Sequence, residues 1–272
     1  MNPTFLFGLE SADAQFERKL NVQGRPSIEI AIRSGRVQVR RGEEGSLTIR
    51  GALRVRQSIF DWNDPAALAG QLISSPPIVQ EGNTILIGAA ADRSLFRRVK
   101  FLLEIEAPPG ACVRAVGDSA GLFIEGIRGP VDCQTDSGEI EIQDIQSQVS
   151  VSTDSGSIAI RQVAGPVEAR SDSGEILALE IGGGIDARTD SGDIDVSQTL
   201  AAPVYARSDS GRITVRLSEA GGYNVRVCTD NGLLDLPEMR QVSASRRELE
   251  GWIRGGGSTV DVATDSGDIR VW

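Results

Sequence analysis

The triplet Asp-Ser-Gly is the feature of this sequence that could perform chemistry. Aspartic proteases hold a catalytic carboxylate in such a triplet, and their reaction needs two Asp side chains that share a proton. Here the triplet occurs six times, and Asp-Asn-Gly and Asp-Ser-Ala are variants of it. The eight aspartates are Asp118, Asp136, Asp154, Asp172, Asp190, Asp209, Asp230 and Asp265. Eight regularly spaced copies predict repeated turns rather than one facing pair of carboxylates.

Other common catalytic groups are excluded by composition. The stretch GDSAG at 117–121 resembles a serine-protease nucleophile motif, but the chain contains no histidine to act as its base. The absence of histidine also excludes Cys-His catalysis and histidine-based metal sites. Cys112, Cys133 and Cys228 lie far apart without a Cys-x-x-Cys motif, which favours free thiols, with Cys133 in the core. We therefore predict no catalytic residue, no cofactor and no enzymatic activity.

The spacing of the aspartates reveals an internal repeat. It is 18 residues at every step from Asp118 to Asp190, and then 19, 21 and 35 residues. Apolar and polar residues alternate on both sides of each triplet, as they do in half-buried strands. A unit of this length cannot bury its own apolar face, so successive units must stack. The pattern predicts an all-β fold, a single-stranded parallel β-helix of right-handed coil with about 18 residues per coil.

The segments outside the repeats are less regular. Residues 22–57 alternate like strands and are interpreted as opening coils, and RSGRVQV within them is a weak early copy of the repeat. Asp-Pro before an apolar pattern, and Pro-Pro after it, predict one short helix over 63–77. A hairpin is expected at Gly82-Asn83, followed by a strand. We predict one continuous domain with a tail at 1–15, an N-terminal β section at 16–110, and repeats at 111–272 that are interrupted at 237–257.

The repeated triplet has a structural explanation. An Asp side chain can accept hydrogen bonds from the backbone N–H groups that follow it and so close an Asx-turn. The Gly two positions later can adopt a positive φ without steric cost. We therefore expect the eight aspartates to form a column of turns along one edge of the stack. Ala120 replaces the Gly in the first of these copies, which predicts a looser or different turn there.

A column of carboxylates requires compensation for its charge. Neighbouring carboxylates about 4.8 Å apart repel by about 0.9 kcal/mol even in water. Arg170, Arg188 and Arg207 each lie two residues before an Asp, on the same predicted face, and are expected to bridge the column. A weaker alternative is bound Ca²⁺, which prefers oxygen ligands. The calcium candidates are Asp136, Asp154 and Glu139.

Net charge and hydropathy limit the partners. The formal net charge of −10 argues against nucleic acid and anionic lipid. No stretch reaches the roughly 18 apolar residues of a transmembrane helix, so direct membrane insertion is not expected. The first twenty residues lack the basic region of a signal peptide. If this N-terminus is native, a cytoplasmic location is expected.

The repeats also resemble a known family. Their form, v-x-A-x-(T/S)-x-SG-(D/E)-I-x-(I/V), is similar to that of the bacterial "putative adhesin" domains of unknown function. LNVQGRPSIEIAIRSGRVQV before the repeats and LEGWIRGGGSTVDVATDSGDIRVW at the end extend the resemblance over residues 16–272. The resemblance implies a β-helix, a bacterial source and association with the cell envelope. It implies no established reaction and contributes no catalytic residue.

These observations favour a non-enzymatic binding or scaffold module. The expected partner is a protein or polysaccharide at the bacterial cell surface, and Leu177, Leu179 and Tyr205 on outward positions could form a small contact patch. Two alternatives remain open at this point. One is a carbohydrate-active enzyme, since such enzymes also use parallel β-helices, and the other is a self-assembling β-helix scaffold.

Overall fold

The protein is described by a computed structural model that covers residues 14–55, 70, 72–88, 99–245 and 247–272. The residues described form an all-β structure in which parallel strand pairs predominate, as the repeat predicted. The chain divides into two compact units, Met1–Gly138 and Glu139–Trp272. They are called the first and second unit below, and each is described separately.

The first unit contains eight strands within the residues that the structure describes. They are β1 (Ala14–Asn21), β2 (Ser27–Arg41), β3 (Ser46–Val55), β4 (Ile78–Glu81), β5 (Thr84–Ile87), β6 (Val99–Ala107), β7 (Cys112–Glu125) and β8 (Val131–Thr135). The long strand β2 pairs in parallel with β5, β6 and β7, and β7 pairs in parallel with β8. The hairpin predicted at Gly82-Asn83 is confirmed as the antiparallel pair β4–β5, and the predicted strand after it is β6.

The interpretation of residues 22–57 as opening coils is wrong for β3. This strand is antiparallel to both β1 and β6. Only four residues, 42–45, connect β2 to β3, and Gly45 among them has a φ of 78°. So short a turn reverses the chain, whereas a parallel pairing needs a longer crossover. The helix predicted over 63–77 lies largely outside the described residues, of which Gly70 and 72–74 are helical.

The second unit is built from short strands that follow the repeat. They are β9 (Ile140–Ile145), β10 (Val149–Thr153), β11 (Ile158–Val163), β12 (Val167–Ser171), β13 (Ile176–Ile181), β14 (Ile185–Ser191), β15 (Ile194–Gln198), β16 (Val204–Ser210), β17 (Ile213–Arg216), β18 (Tyr223–Asn231), β19 (Leu234–Asp235), β20 (Arg240–Ala244), β21 (Glu248–Ile253), β22 (Ser258–Ser266) and β23 (Ile269–Val271).

Two ladders of parallel strands run through the second unit. From β9 to β19, consecutive strands of the chain belong alternately to one ladder and to the other. The first ladder is β10–β12–β14–β16–β22–β18, and the second is β9–β11–β13–β15–β17–β23–β19. Equivalent residues of successive repeats are direct neighbours, as in the pair Val149 and Val167. The arrangement is solenoid-like, with 18 residues between most paired positions.

The apolar columns seen in the sequence form the core of the second unit. The alternate apolar residues that follow each triplet are buried on the second ladder. Those that precede each triplet are buried on the first ladder. The most regular column consists of Ile140, Ile158, Ile176, Ile194, Ile213 and Ile269, all at most 1% exposed. Stacking of identical side chains at the strand spacing removes them from water on all sides, which is the main stabilisation available to units this short.

The last repeat does not lie at the end of the stack. β22 pairs in parallel with β16 on one side and with β18 on the other, so the C-terminal copy is inserted between two copies that precede it in sequence. The interruption that begins at 237 supplies β20 and β21. β21 is antiparallel to β18, and β20 is antiparallel to β21. This hairpin covers the edge that β18 would otherwise expose, as expected of a cap.

Candidate functional site

The repeated turns are held together by contacts from one coil to the next. The Ser173 N–H donates to the Asp154 carbonyl at 2.9 Å, and the Ser191 N–H donates to the Asp172 carbonyl at 2.9 Å. In the first unit the Ser137 N–H donates to the Asp118 carbonyl in the same way, at 2.8 Å. The aspartates of all eight copies have exposed side chains. Water therefore screens their mutual repulsion, and the Asx-turn role of these side chains stays a prediction.

The prediction that the triplet glycines have a positive φ is wrong. None of Gly138, Gly174, Gly192, Gly211, Gly232 and Gly267 adopts one. Glycine is required instead because the turns stack closely. A Cβ atom on Gly174 would lie 1.9 Å from the Gly156 carbonyl oxygen, and one on Gly192 would lie 2.1 Å from the Gly174 oxygen. No side chain fits between two turns at this distance.

The Thr or Ser before each Asp completes the turn-to-turn contact. Thr189 is 4% exposed, and its hydroxyl donates to the Gly174 carbonyl at 3.2 Å. Ser208 donates in the same way to Gly192 at 3.0 Å, and Thr229 to Gly267 at 3.0 Å. The chemistry that these repeats share is therefore a buried hydroxyl that donates a hydrogen bond to a carbonyl of the neighbouring turn.

Replacing Thr189 by Val is expected to lower the free energy of unfolding by about 1–2 kcal/mol. The isosteric change removes the hydroxyl donor and leaves the Gly174 carbonyl without that bond. Thr189→Ser is the matched control, because Ser occupies the equivalent position at Ser171 and Ser208. It should retain most of the stability in urea unfolding followed by circular dichroism. A Val variant as stable as the Ser variant would contradict this role.

Two acidic residues that follow a triplet glycine also bond to the next coil. The Asp193 carboxylate accepts from the Arg212 backbone N–H at 2.8 Å, and the Asp268 carboxylate accepts from the Leu233 N–H at 3.0 Å. The repeat pattern predicted no such contact for these two acids. Their position directly after Gly, where the next coil presents a free N–H, is the signal that could have identified them.

The arginines predicted to bridge the aspartate column stack on one another. Arg170, Arg188 and Arg207 are exposed neighbours in register on the first ladder. Arg170 pairs with Glu168, and Arg188 pairs with Asp186 at 2.8 Å. The carboxylates two residues earlier on the same strand therefore neutralise these two arginines, and a bridge to the turn aspartates stays a prediction.

Asp118 has a different partner. It lies within β7 rather than in a turn between two strands, and Arg33 of the neighbouring strand β2 contacts it at 3.3 Å. Ser34 pairs in register with Ser119, so Arg33 occupies the Asp position of the weak early copy. Where Ala120 replaces Gly, the chain thus continues as a strand and gains an ion pair at that position.

The second ladder carries ion pairs that join successive coils. Arg161 contacts Glu141 at 3.6 Å, and Arg216 contacts Asp195 at 3.1 Å. All four side chains are partly exposed, so each pair contributes no more than about 1 kcal/mol. These pairs place positive charge beside carboxylates on the second ladder.

A groove lies at the start of the strands of the first ladder. It has a volume of 420 Å³, and its lining includes Pro166, Pro203, Tyr205, Glu168 and Asp186. Asp186 and Tyr205 are direct neighbours in register, and the Tyr205 side chain is 43% exposed. One oxygen of Asp186 pairs with Arg188, whereas Oδ1 is buried without a hydrogen-bond partner among the residues described. The groove thus combines an exposed aromatic ring with carboxylates whose charge is partly balanced.

Other predicted site residues do not form a cluster. Among the residues that the structure describes, no group of three or more acidic or cysteine side chains is arranged to hold a metal ion, so nothing supports calcium at Asp136, Asp154 and Glu139. Cys133 is 1% exposed, and burial raises the pKa of its thiol, which confirms it as a core residue. Leu177 and Leu179 are half-buried on the second ladder.

Comparison with known proteins places these repeats in a family. The Toastrack DUF4097 family matches residues 128–272, which is more than half of the chain. The chain belongs to the Toastrack DUF4097 family. The resemblance to bacterial "putative adhesin" domains of unknown function is thereby confirmed. Comparison with curated proteins gives no match.

This Toastrack chain is also similar to solved structures. A putative adhesin from Bacteroides fragilis NCTC 9343 is 15% identical, with a TM-score of 0.51 over 95% of this chain and 97% of that one. A putative lipid binding protein from Parabacteroides distasonis ATCC 8503 is 10% identical, with a TM-score of 0.44 over 95% and 97%. A putative cell adhesion protein from Clostridium sporogenes ATCC 15579 is 9% identical, with a TM-score of 0.26 over 94% and 98%. The first of these supports the fold alone.

Membrane association through a helix finds no support in the described part of the Toastrack chain. None of the helical residues placed there belongs to a segment long and apolar enough to cross a bilayer.

Proposed function

We propose that this chain is a non-enzymatic binding module of the bacterial cell envelope that binds a neutral polysaccharide on the first ladder of the second unit. The observation that carries the proposal is the groove in which Tyr205 stands exposed beside Asp186 and Glu168. Aromatic rings offer an apolar face to a sugar ring, while carboxylates accept hydrogen bonds from its hydroxyl groups. The stacked strands place Glu168, Asp186 and Tyr205 side by side along one surface.

Charge favours a neutral rather than an anionic polymer. The net charge of −10 repels polyanions at long range. Within the face itself, Arg170 and Arg188 pair with Glu168 and Asp186 and balance part of the charge of the groove. The acids of the turns follow the repeat and do not converge on one reacting atom, which is why we infer binding without catalysis.

We also infer that the two ladders are walls of a right-handed parallel β-helix. Crossovers between parallel strands of one sheet are right-handed in about 98% of known cases, because the strand twist favours that direction. The alternation of consecutive strands from β9 to β19 between the ladders supports this coil.

Affinity electrophoresis in gels that contain dextran or glycol chitin tests the binding function. We expect at least one of these neutral polymers to retard the wild-type protein. Tyr205→Ala should weaken the interaction about tenfold, as loss of a central aromatic contact does. Leu200→Ala is the matched control, because Leu200 is 59% exposed but lies outside the groove, and it should behave as wild type.

Two results would contradict the proposed function. One is equal retardation of wild type and Tyr205→Ala, which would move binding away from the groove. The other is release of reducing sugar ends from the same polymers, which would favour the enzymatic alternative.

A further inference from the structure

The inserted position of the last repeat creates a slot with two hydrogen-bonding edges. β22 fills the space between β16 and β18, and β23 fills the space between β17 and β19. The Gly211 N–H donates to Ser266 on one side, and the Gly267 N–H donates to Asn231 on the other, both at 3.1 Å. Before insertion, both edges of the slot present unpaired backbone groups, which are a template for any strand of matching register.

Side chains make the slot selective for a segment with the pattern of these repeats. Val260, Val262, Ile269 and Val271 are at most 2% exposed, so the segment contributes a full layer of the core. The Thr264 hydroxyl donates to the Gly211 carbonyl at 3.2 Å, which reproduces the turn contact of the other repeats. A segment without both features would leave a cavity or an unsatisfied carbonyl.

The connector to this segment has the properties of a hinge. β21 and β22 lie on opposite sides of β18, so the chain must cross the start of β18 between Ile253 and Ser258. The four residues between them, Arg254–Gly257, all have φ between 51° and 154°. A Cβ on Gly255 would meet no atom within 4 Å, so this part of the connector is not packed. Three of the four residues are glycines, which adopt many backbone directions at low cost.

We propose that the slot is an interaction site for a second copy of this chain, which inserts its own residues 258–271 in place of the segment inserted in cis. The two insertions make the same contacts, and only the path of the connector differs between them. Reciprocal insertion closes as a two-fold dimer, whereas one-way insertion leaves a free segment and an open slot at the two ends. This inference does not depend on polysaccharide binding.

A native cysteine on the strand beside the inserted segment allows a direct test. Ala263 of β22 lies opposite Cys228 of β18, and both side chains are half-buried on the same face. Ala263→Cys can therefore form a disulfide with Cys228. In a monomer that disulfide lies within one chain, whereas in the exchanged dimer it joins two chains. Cys112→Ser in the same variant removes a competing thiol, and Ala263→Ser in that background is the control that forms no such link.

The full-length variant is unfolded and refolded at protein concentrations far below and near the millimolar effective concentration of a short tether. It is then oxidised and run on a non-reducing gel. We expect monomers with an intrachain disulfide after dilute refolding, and covalent dimers after concentrated refolding. Intrachain disulfides at every concentration would overturn the proposal, as would a non-covalent dimer in which each disulfide stays within one chain.

Changing the length of the connector gives a second test, which needs no cysteine substitution. Deletion of Gly255 and Gly256 shortens the connector and so strains its crossing over β18. Short, strained hinges favour exchange of a segment between chains. After concentrated refolding, the deletion should raise the dimer fraction about tenfold, whereas two added glycines should lower it. Size-exclusion chromatography measures both fractions. Equal dimer fractions for the shortened and the lengthened connector would also overturn the proposal.

Discussion

Replacement of Gly174 by Ala is expected to lower the free energy of unfolding by about 3 kcal/mol. The added methyl group would lie 1.9 Å from the Gly156 carbonyl oxygen, which belongs to the backbone of the adjacent turn. Neither turn can move away alone, since parallel pairing on both sides of the coil fixes their separation. Urea unfolding monitored by circular dichroism measures the loss, and reduced soluble yield would indicate the same effect in a more severe form.

Gly184→Ala is the matched control for this substitution. Gly184 lies ten residues further along, and a Cβ there would be 3.4 Å from its nearest neighbour, the Pro203 carbonyl oxygen. That is an ordinary van der Waals distance, so a change within about 0.5 kcal/mol is expected. Equal losses for Gly174→Ala and Gly184→Ala would show that glycine acts through backbone flexibility instead of close stacking.

Truncation of Tyr223 is expected to have the other large effect, a loss of about 3–5 kcal/mol for Tyr223→Ala. Among the residues that the structure describes, Tyr223 is the largest side chain with no exposed surface, and it lies at the start of β18, where the connector crosses. Its hydroxyl is 3.3 Å from Gln198 Oε1, and the Arg254 guanidinium lies 5.6 Å from its ring centre. Its removal would leave a cavity beneath the inserted segment.

Tyr223→Phe separates the ring from the hydroxyl. It keeps the packing and should cost only about 1 kcal/mol. Burial raises the pKa of Tyr223 above its ordinary value of 10.0, although Ser218 and Arg254 oppose the shift. The unfolded chain then ionises first, so the wild type should lose stability as pH rises past about 10, and the Phe variant should lose less. Identical pH profiles would contradict a buried hydroxyl at this position.

The repeat allowed much of the second unit to be predicted, for a specific physical reason. With a side-chain period of two, only one register buries Ile140, Ile158 and Ile176 together, so alternation alone determined which residues face the core. The same argument placed Cys133 inside the first unit. Alternation did not predict why the triplets need glycine. The close contact between turns arises only when two coils stack, and the sequence of one repeat does not show it.

Ion-pair partners and local backbone reversals could not be predicted in this way. Long side chains at an exposed surface choose between several acids at similar energy, so Arg170 pairs along its own strand instead of across the column. Asp144, Gln162 and Glu180, again 18 residues apart, have φ between 53° and 59°. Gln and Glu seldom adopt this conformation, and Asp adopts it less readily than glycine, so the sequence did not indicate it.

Insertion of β22 between β16 and β18 has a consequence for synthesis of the protein on the ribosome. Chains are translated from the N-terminus, and domains usually begin to fold in that order. The earlier coils can stack as they emerge, but β18 to β21 leave the ribosome before the strand that joins them to the stack. Folding of this end must therefore wait until translation has passed Val271. During that interval, chains on neighbouring ribosomes of one messenger RNA present open edges to one another.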